Sequence, residues 1–508
     1  MKTHKHFLII VVFLLPLVGL VSCKNQDAEI EQLRQQLASL QKQLTEEEDA
    51  KVSAQSKVTD LENQVKDLNQ QVENVENQLK DLENSQNEVS SLPHIYINTD
   101  GKTIIDEPKI SATLEIKKNQ EVIEQHHIGI ELRGATSQQL FEKKSYGLET
   151  WDQEGDDLNV ELGGYPEEED WILHGPYSDK TLIRNVLIYQ LSNAIGRYAT
   201  RTSFYELTIN GDYEGTYVLM EKIKRDKNRV DIKKVDSDDI TGGYILKIDK
   251  NVGKDQAFSI DDLGWESEYD PFGKEKTEES SKTIRFLYEY PDAEDIEEEE
   301  KEYIQNYIKE FENALASQDY RDPSLGYRKY IDVDSFVDFF LLNEISKNVD
   351  AYRLSTFFYK NNKNGKLFMG PIWDFNISFG NANYCEGERH IGWSYKFNSR
   401  CSNHFQLVPF WWSRLLSDPY FKGKIKERWS ELRTDQFSTE SILNRVNTLR
   451  VTLEENGLFQ RNFKRWAILG EYIWPNNYVG MSVDDEYRYL RDWIQGRLNW
   501  LDNAVSRL

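Results

Sequence analysis

"LSTFFYKNNKNGKLFMGPIWDF", residues 354 to 375, reads as two aromatic, β-prone runs joined by a turn at Asn364-Gly365. If the two strands are of similar length, the outer ends of this hairpin meet. Asp350 stands just ahead of the first strand and Asp374 just after the second, so two acids distant in sequence become neighbours in space. Carboxylates held close repel each other unless a proton or cation sits between them. Magnesium bound through one or two carboxylates and substrate phosphates is one answer, which points to phosphoryl transfer. An acid and base flanking a glycosidic bond is a second. The plain alternative for Asp374 is a strand-end acid bonded to backbone amides.

Upstream of the hairpin, "DVDSFVDFFLLNEISKN" (332 to 348) and "EEEKEYIQNYIKEFENALAS" (298 to 317) are amphipathic at helical spacing. Alternating runs at 94 to 99, 111 to 118, 128 to 134, 144 to 150, 203 to 211, 215 to 223 and 242 to 249 suit strands bounded by turn signals. A helix is expected over 179 to 196, with Asp179 as its cap. Asn210-Gly211 turns a tight hairpin. The fold class is therefore α+β, opening with antiparallel sheet and becoming helical from about residue 400.

The N-terminus speaks to location. Residues 1 to 22 have a basic start, an apolar run from Phe7 to Leu20 and small residues ahead of Cys23, the pattern of an export signal. Leu20-Val21-Ser22-Cys23 resembles a bacterial lipobox, which implies a lipidated Cys23, membrane anchoring and a place in the cell envelope, on the periplasmic or surface side. Of the three cysteines this leaves Cys385 and Cys401, which are expected to pair as a disulfide in an exported chain.

Residues 23 to 92 read as a stalk and linker. From Ile30 to Leu82 a heptad runs without a skip, through a polar stretch at Glu47 and Lys51. One continuous coiled-coil helix of roughly 80 Å is expected, covered by a partner helix in a parallel homo-oligomer. "SQNEVSSLP" (85 to 93) links it to the domain at 93 to 508. A net charge of -25 with no basic stripe argues against a nucleic-acid partner. With 39% hydrophobic residues the chain can build a sizeable core.

"ELRGATSQQLFEKKSYGLE" (131 to 149), "DKTLIRNVLIYQLSNAIG" (179 to 196), "LTINGDYEGTYVLMEKI" (207 to 223), "NEISKNVDAYRLSTFFYK" (343 to 360) and "PIWDFNISFG" (371 to 380) resemble, in order, the blocks of the CotH (spore-coat-H) kinase-like family. The Trp-rich end, with "FWWSRLLSDPYF" (410 to 421), resembles the family's close. The resemblance implies an atypical protein-kinase-like fold, preceded here by the N-terminal coiled-coil helix, that uses ATP and Mg2+, or Mn2+ or Ca2+, to phosphorylate a protein substrate. It also implies roles. Lys144, or failing it Lys143, would grip phosphate, with Glu221 as its ion-pair partner. Asp350 would lie by the attacking hydroxyl, and Asp374 would be the principal metal ligand, assisted by Asn376 and Asn348. Arg133 and Arg184 would clamp phosphate or carboxylate, a structural salt bridge being the other reading of Arg184. Asn376 stands where the family is expected to carry a second acid, which weakens cation binding. The alternative is thus a catalytically weak or inactive kinase-like fold acting as a cell-surface binding or scaffold protein. No G-x-G-x-x-G loop is present, and "GGYPEEEDW" (163 to 171) is too acidic to cradle phosphate.

Overall fold

The structure is a computed structural model that describes residues 24–48, 63–73, 75, 92–235, 238–250, 263–362 and 365–508. The export signal, Cys23 and the Asn364 turn lie outside the described residues. The chain divides into two units, Met1–Ser91 and Leu92–Leu508.

In the first unit, helix α1 spans Lys24–Glu48 and a second helical stretch covers 63–73. Both line one groove, Gln36 and Leu40 from the first, Asp67 and Leu68 from the second. A straight helix would hold Gln36 and Asp67 about 45 Å apart, so the two described helices are not parts of one straight rod, and that expectation is corrected. Leu33, Leu37, Leu68 and Val75 are buried within one chain, so the apolar stripe finds cover without a second molecule. The polar Glu47 and Lys51 interrupt that stripe in the sequence.

The second unit opens with a closed barrel of seven strands. These are β1 (His94–Asn98), β2 (Ile110–Lys118), β3 (Glu121–Arg133), β4 (Ser145–Trp151), β7 (Asp170–His174), β8 (Thr202–Ile209) and β9 (Asp212–Glu221), in the order β1-β2-β3-β4-β7-β9-β8. Six pairings are antiparallel and β1 closes on β8 in parallel. Alternate side chains fill the interior, among them Ile95, Leu114, Ile130, Leu148, Leu173, Leu207 and Leu219. The strands expected from alternation are all present. A short hairpin, β5 (Val160–Leu162) with β6 (Tyr165–Glu168), and strand β7 were not expected. "DWILH" does not alternate because Ile172 faces a second core while Trp171 and Leu173 fill the barrel.

That second core joins the barrel's outer face to a five-stranded antiparallel sheet and the helices. The sheet has the order β11 (Gly264–Glu266), β12 (Arg285–Tyr290), β10 (Tyr244–Ile248), β13 (Thr356–Lys360), β14 (Leu367–Met369). Strands β13 and β14 are the expected hairpin, pairing Phe358 with Met369 and Lys360 with Leu367. Helix α2 (Thr136–Leu140) is a single short turn, and α3 covers Arg184–Ala194. The latter starts later than expected because Asp179 is not its N-cap residue; its carboxylate instead reaches forward to the Arg184 N–H, 2.8 Å away. Helices α4 (Glu298–Ala316) and α5 (Val333–Ser346) have the expected positions, α5 capped by Asp332. The chain then forms α6 (Trp411–Leu415), α7 (Pro419–Arg433), α8 (Thr439–Glu455), α9 (Leu458–Arg465) and α10 (Val483–Ser506). A fully buried pair, Arg497 on α10 with Glu344 on α5 at 2.9 Å, ties the last helix to the one that leads into the site. Cys385 and Cys401 form the expected disulfide.

Glu312 on α4 is buried and accepts from Trp411 Nε1 and Ser267 Oγ, each at 2.8 Å. Burial outweighs these bonds and pushes its carboxyl up to about 7. The unfolded chain releases this proton near the ordinary value of 4.5, so stability is undiminished below that pH and falls as pH rises toward 7. Glu312→Gln removes this loss. Its thermal midpoint should exceed that of the wild type by a few degrees at pH 8, with the gap closing toward pH 4.5; a gap independent of pH would exclude this origin.

Candidate active site

The outer face of the barrel forms one wall of a cavity of ≈ 420 Å³. Because Leu148 and Leu173 point inward, Ser145 and His174 must point outward, and so must Arg133, next to the inward Leu132. The same alternation turns Glu131, Ile172 and Met220 to the cavity one step further along these strands. The opposite wall comes from the second sheet and from the chain after α5, which bring Asp249, Lys250, Asp350 and Ser355. The loop with Trp373, Asp374 and Asn376 completes it.

Helix α3 holds that loop in place. Tyr189 Oη accepts from the Asp374 N–H at 3.1 Å, and Asn185 Oδ1 accepts from the Phe375 N–H at 2.7 Å. Arg184 Nε donates to the Ser378 carbonyl at 3.1 Å, while its other end is pinned by Asp179. Tyr189 also stacks on Trp373, with ring centres 6.1 Å apart. Asp374 itself has φ +60°, the left-handed region that an acid rarely adopts.

The acids meet as the hairpin predicts. Asn348 links them, donating to the Asp374 carbonyl at 3.3 Å and accepting from the Asp350 N–H at 3.1 Å. Arg353, wholly buried, holds the Asp350 carboxylate at 2.5 Å, and Tyr384 Oη donates to the same oxygen at 3.3 Å. The Asp374 side chain is open to the cavity's water, yet protein crowds it on every side without covering it. That partial desolvation, with Asp350 and Asp249 as like charges, pushes its carboxyl up to about 7 against the pull of Lys250 and Arg133. Asp249 is also raised, by burial first, against the pull of Lys247 and of backbone donors.

Other expected residues lie elsewhere. Lys143 is buried, donating to the Thr216 carbonyl at 2.5 Å and Asn462 Oδ1 at 2.8 Å, and does not line the cavity. Lys144 donates to the carbonyls of Gln138, at 2.7 Å, and Phe141, at 2.5 Å, so it fastens the 134–141 loop rather than facing the cavity. Glu221 pairs with Arg201 at 2.5 Å and lies 3.8 Å from Arg229, not with Lys144. Arg184 is the structural pair, since its Nε and Nη1 go to the Ser378 carbonyl, Asp179 and Thr181. Asn348 spends its amide on backbone and is a positioning residue rather than a cavity donor. Of the expected cations, Arg133 alone lines the cavity, joined by Lys250, whose ammonium donates to Thr136 Oγ1 at 3.0 Å.

Asp249, Lys250, Ser145, His174, Asn185 and Tyr189 were not anticipated. The strand end in "GGYILKID" was a usable signal for Asp249, whereas the others required the fold. The only triple of candidate metal donors within 4.8 Å of one another, among the described residues, is Glu168, Glu169 and Asp170. Lys224 sits among these acids, 3.0 Å from both Glu168 and Asp170, and Arg229 lies 3.2 Å from Glu168, so their charge is already met.

A family model described as "CotH kinase protein" matches residues 130–501. Among solved structures, one described as a Helicobacter pylori proinflammatory kinase CtkA is similar at 10% identity, covering 60% of this chain and 92% of that one, with a TM-score of 0.20. No curated protein matches the chain.

Tyr189→Phe removes the acceptor of the Asp374 N–H and leaves that donor without its partner. The expected cost is about 1–3 kcal/mol, measured as a lower midpoint of urea unfolding. A variant as stable as the wild type would show that the loop is held by other means.

Proposed function

Because the chain belongs to the CotH kinase protein family, we propose that it transfers a phosphoryl group from ATP to a hydroxyl of a protein substrate with a divalent cation. The carrying observation is a single cavity with Asp350, Asp374 and Asn376 beside the cations Arg133 and Lys250. The donors fit a hard ion such as Mg2+, or Mn2+ or Ca2+, because all are oxygens and because Asp374 is crowded by like charge. The carboxylates do not close into a cage, which suits an ion shared with substrate phosphates. Asp374 and Asn376 would hold it, and it would neutralise charge on the phosphates during transfer.

The chain's own groups do the rest. Arg133 offers a planar fork to phosphate oxygens, and Lys250 adds a second positive charge. Asp350, fixed by Arg353 and Tyr384, orients the acceptor hydroxyl and takes its proton as the phosphoryl group arrives and ADP leaves. A second reading, a binding scaffold without transfer, is favoured by Asn376 in an acid's place and by the engagement of Lys143, Lys144 and Glu221 elsewhere.

Incubation with labelled ATP and magnesium or manganese separates the two. Label should reach protein with the wild type and vanish with Asp374→Ala, whereas nucleotide-dependent stabilisation without label would favour the scaffold. Absence of both would remove the kinase reading. We propose also that lipidated Cys23 anchors the protein in the cell envelope, a reading supported by Leu20-Val21-Ser22-Cys23 alone. Cys23→Ser should shift the protein from the detergent phase to the aqueous phase on phase separation; unchanged partitioning would refute the anchor.

A further inference from the structure

Three polar side chains stand in a row where adjacent barrel strands end. Arg133 is the register partner of Ser145, and Tyr146 is the partner of Leu173, which sets Ser145 beside His174. The Gly175 N–H donates to Ser145 Oγ at 3.0 Å, closing the gap between β4 and β7. All three share the outer face and line the cavity. Neighbouring strands lie about 4.8 Å apart, so the row is about 10 Å long.

The hydrogen positions in this row follow from the backbone. Asn185 must turn its Oδ1 to the Phe375 N–H, 2.7 Å away, so its Nδ2 faces His174 Nε2 at 3.3 Å as a donor. His174 Nε2 therefore accepts, and the ring proton sits on Nδ1. Nδ1 has no protein partner among the described residues and is not sealed from solvent. Burial first, then Lys143, hold the imidazole down to about 4 with Asp179 opposing, so the ring is neutral. Ser145 Oγ accepts from Gly175 and keeps its own hydrogen to give. The Arg133 guanidinium makes no hydrogen bond or ion pair with the described residues, and its positive field reaches Asp374 and Glu289. A cation and two neutral donors thus present hydrogens along one line, while the Glu131 carboxylate lines the same cavity two residues before Arg133.

We infer that Arg133, Ser145 and His174 form one phosphate-binding row for the polyphosphate chain of the nucleotide, with His174 donating through Nδ1. The row replaces the absent glycine-rich loop and explains why Lys143 and Lys144 are free for structural work. It rests on reading the cavity as a nucleotide site. Asn185 joins the row to the Asp374 loop, so the phosphates and the acid that would meet their cation are positioned by the same side chain.

Calorimetric titration of the full chain with ATP, inorganic tripolyphosphate and adenosine tests it. His174→Phe keeps an aromatic ring and removes the donor; Ser145→Ala is a milder second variant in case the first fails to fold. The Kd for ATP and for tripolyphosphate should rise about tenfold in His174→Phe, the scale of one lost bond to a charged group, with a smaller rise in Ser145→Ala. His174→Gln should recover part of the loss. If ATP binds the wild type and both variants equally, the row is wrong and the kinase reading stands. If adenosine weakens while tripolyphosphate does not, the row meets the base instead and the inference fails. If the wild type binds none of the three, both readings fall.

Discussion

The hydrogen bonds from α3 to the loop after β14 are the constraint on which the site depends. Asp374 sits at φ +60°, which costs a non-glycine residue about 1–3 kcal/mol. Tyr189 and Asn185, one turn apart on α3, take the N–H groups of Asp374 and Phe375, and Arg184 takes the Ser378 carbonyl. Those bonds select a conformation that local preference would reject. They also aim a crowded carboxylate at the cavity instead of at bulk water.

The same helix is fixed by the way the two cores share strands. On β7 and β9, Leu173 and Leu219 fill the barrel while Ile172, Val218 and Met220 pack outward with Val186 and Leu187 of α3. The barrel therefore cannot shift without moving the helix that carries Asn185 and Tyr189. On the far side, α5 ends at Lys347 in a left-handed turn, and its ammonium is held by the carbonyls of Glu386, at 2.6 Å, and Arg389, at 2.8 Å. Burial, with Arg497 and Arg400 near, pushes that amine down to about 7. The neighbouring disulfide joins the segment bearing Tyr384 to the one bearing His404, which meet Asp350 and Arg353 respectively. Both acids of the pair are thus held from behind by well-buried elements.

Much of the fold was legible because its signals are local. The hairpin at 354 to 375, the alternating barrel strands and the amphipathic spacing of α4 and α5 each announce themselves within about two dozen residues. Strand β7 was hidden because both its faces are buried, which erases the alternation that reveals a strand. The stalk misled for the opposite reason. Its heptad persists across a polar stretch, and periodicity records which residues want cover, not whether another molecule or the same chain provides it.

By itself the sequence determined the acid pair, since a hairpin's ends meet whatever surrounds it, and the family blocks that frame it. It could not determine which cations face the cavity. A lysine side chain is long and flexible, and its endpoint is set by carbonyls that only the fold supplies; those of Thr216 and Phe141 claimed Lys143 and Lys144. Nor could it show that Arg133, Ser145 and His174 stand abreast, because their alignment comes from the register of three strands, the last of which, β7, is separated from β4 by the β5–β6 hairpin. Acids joined by a turn are a local fact, whereas a row across a barrel is a tertiary one.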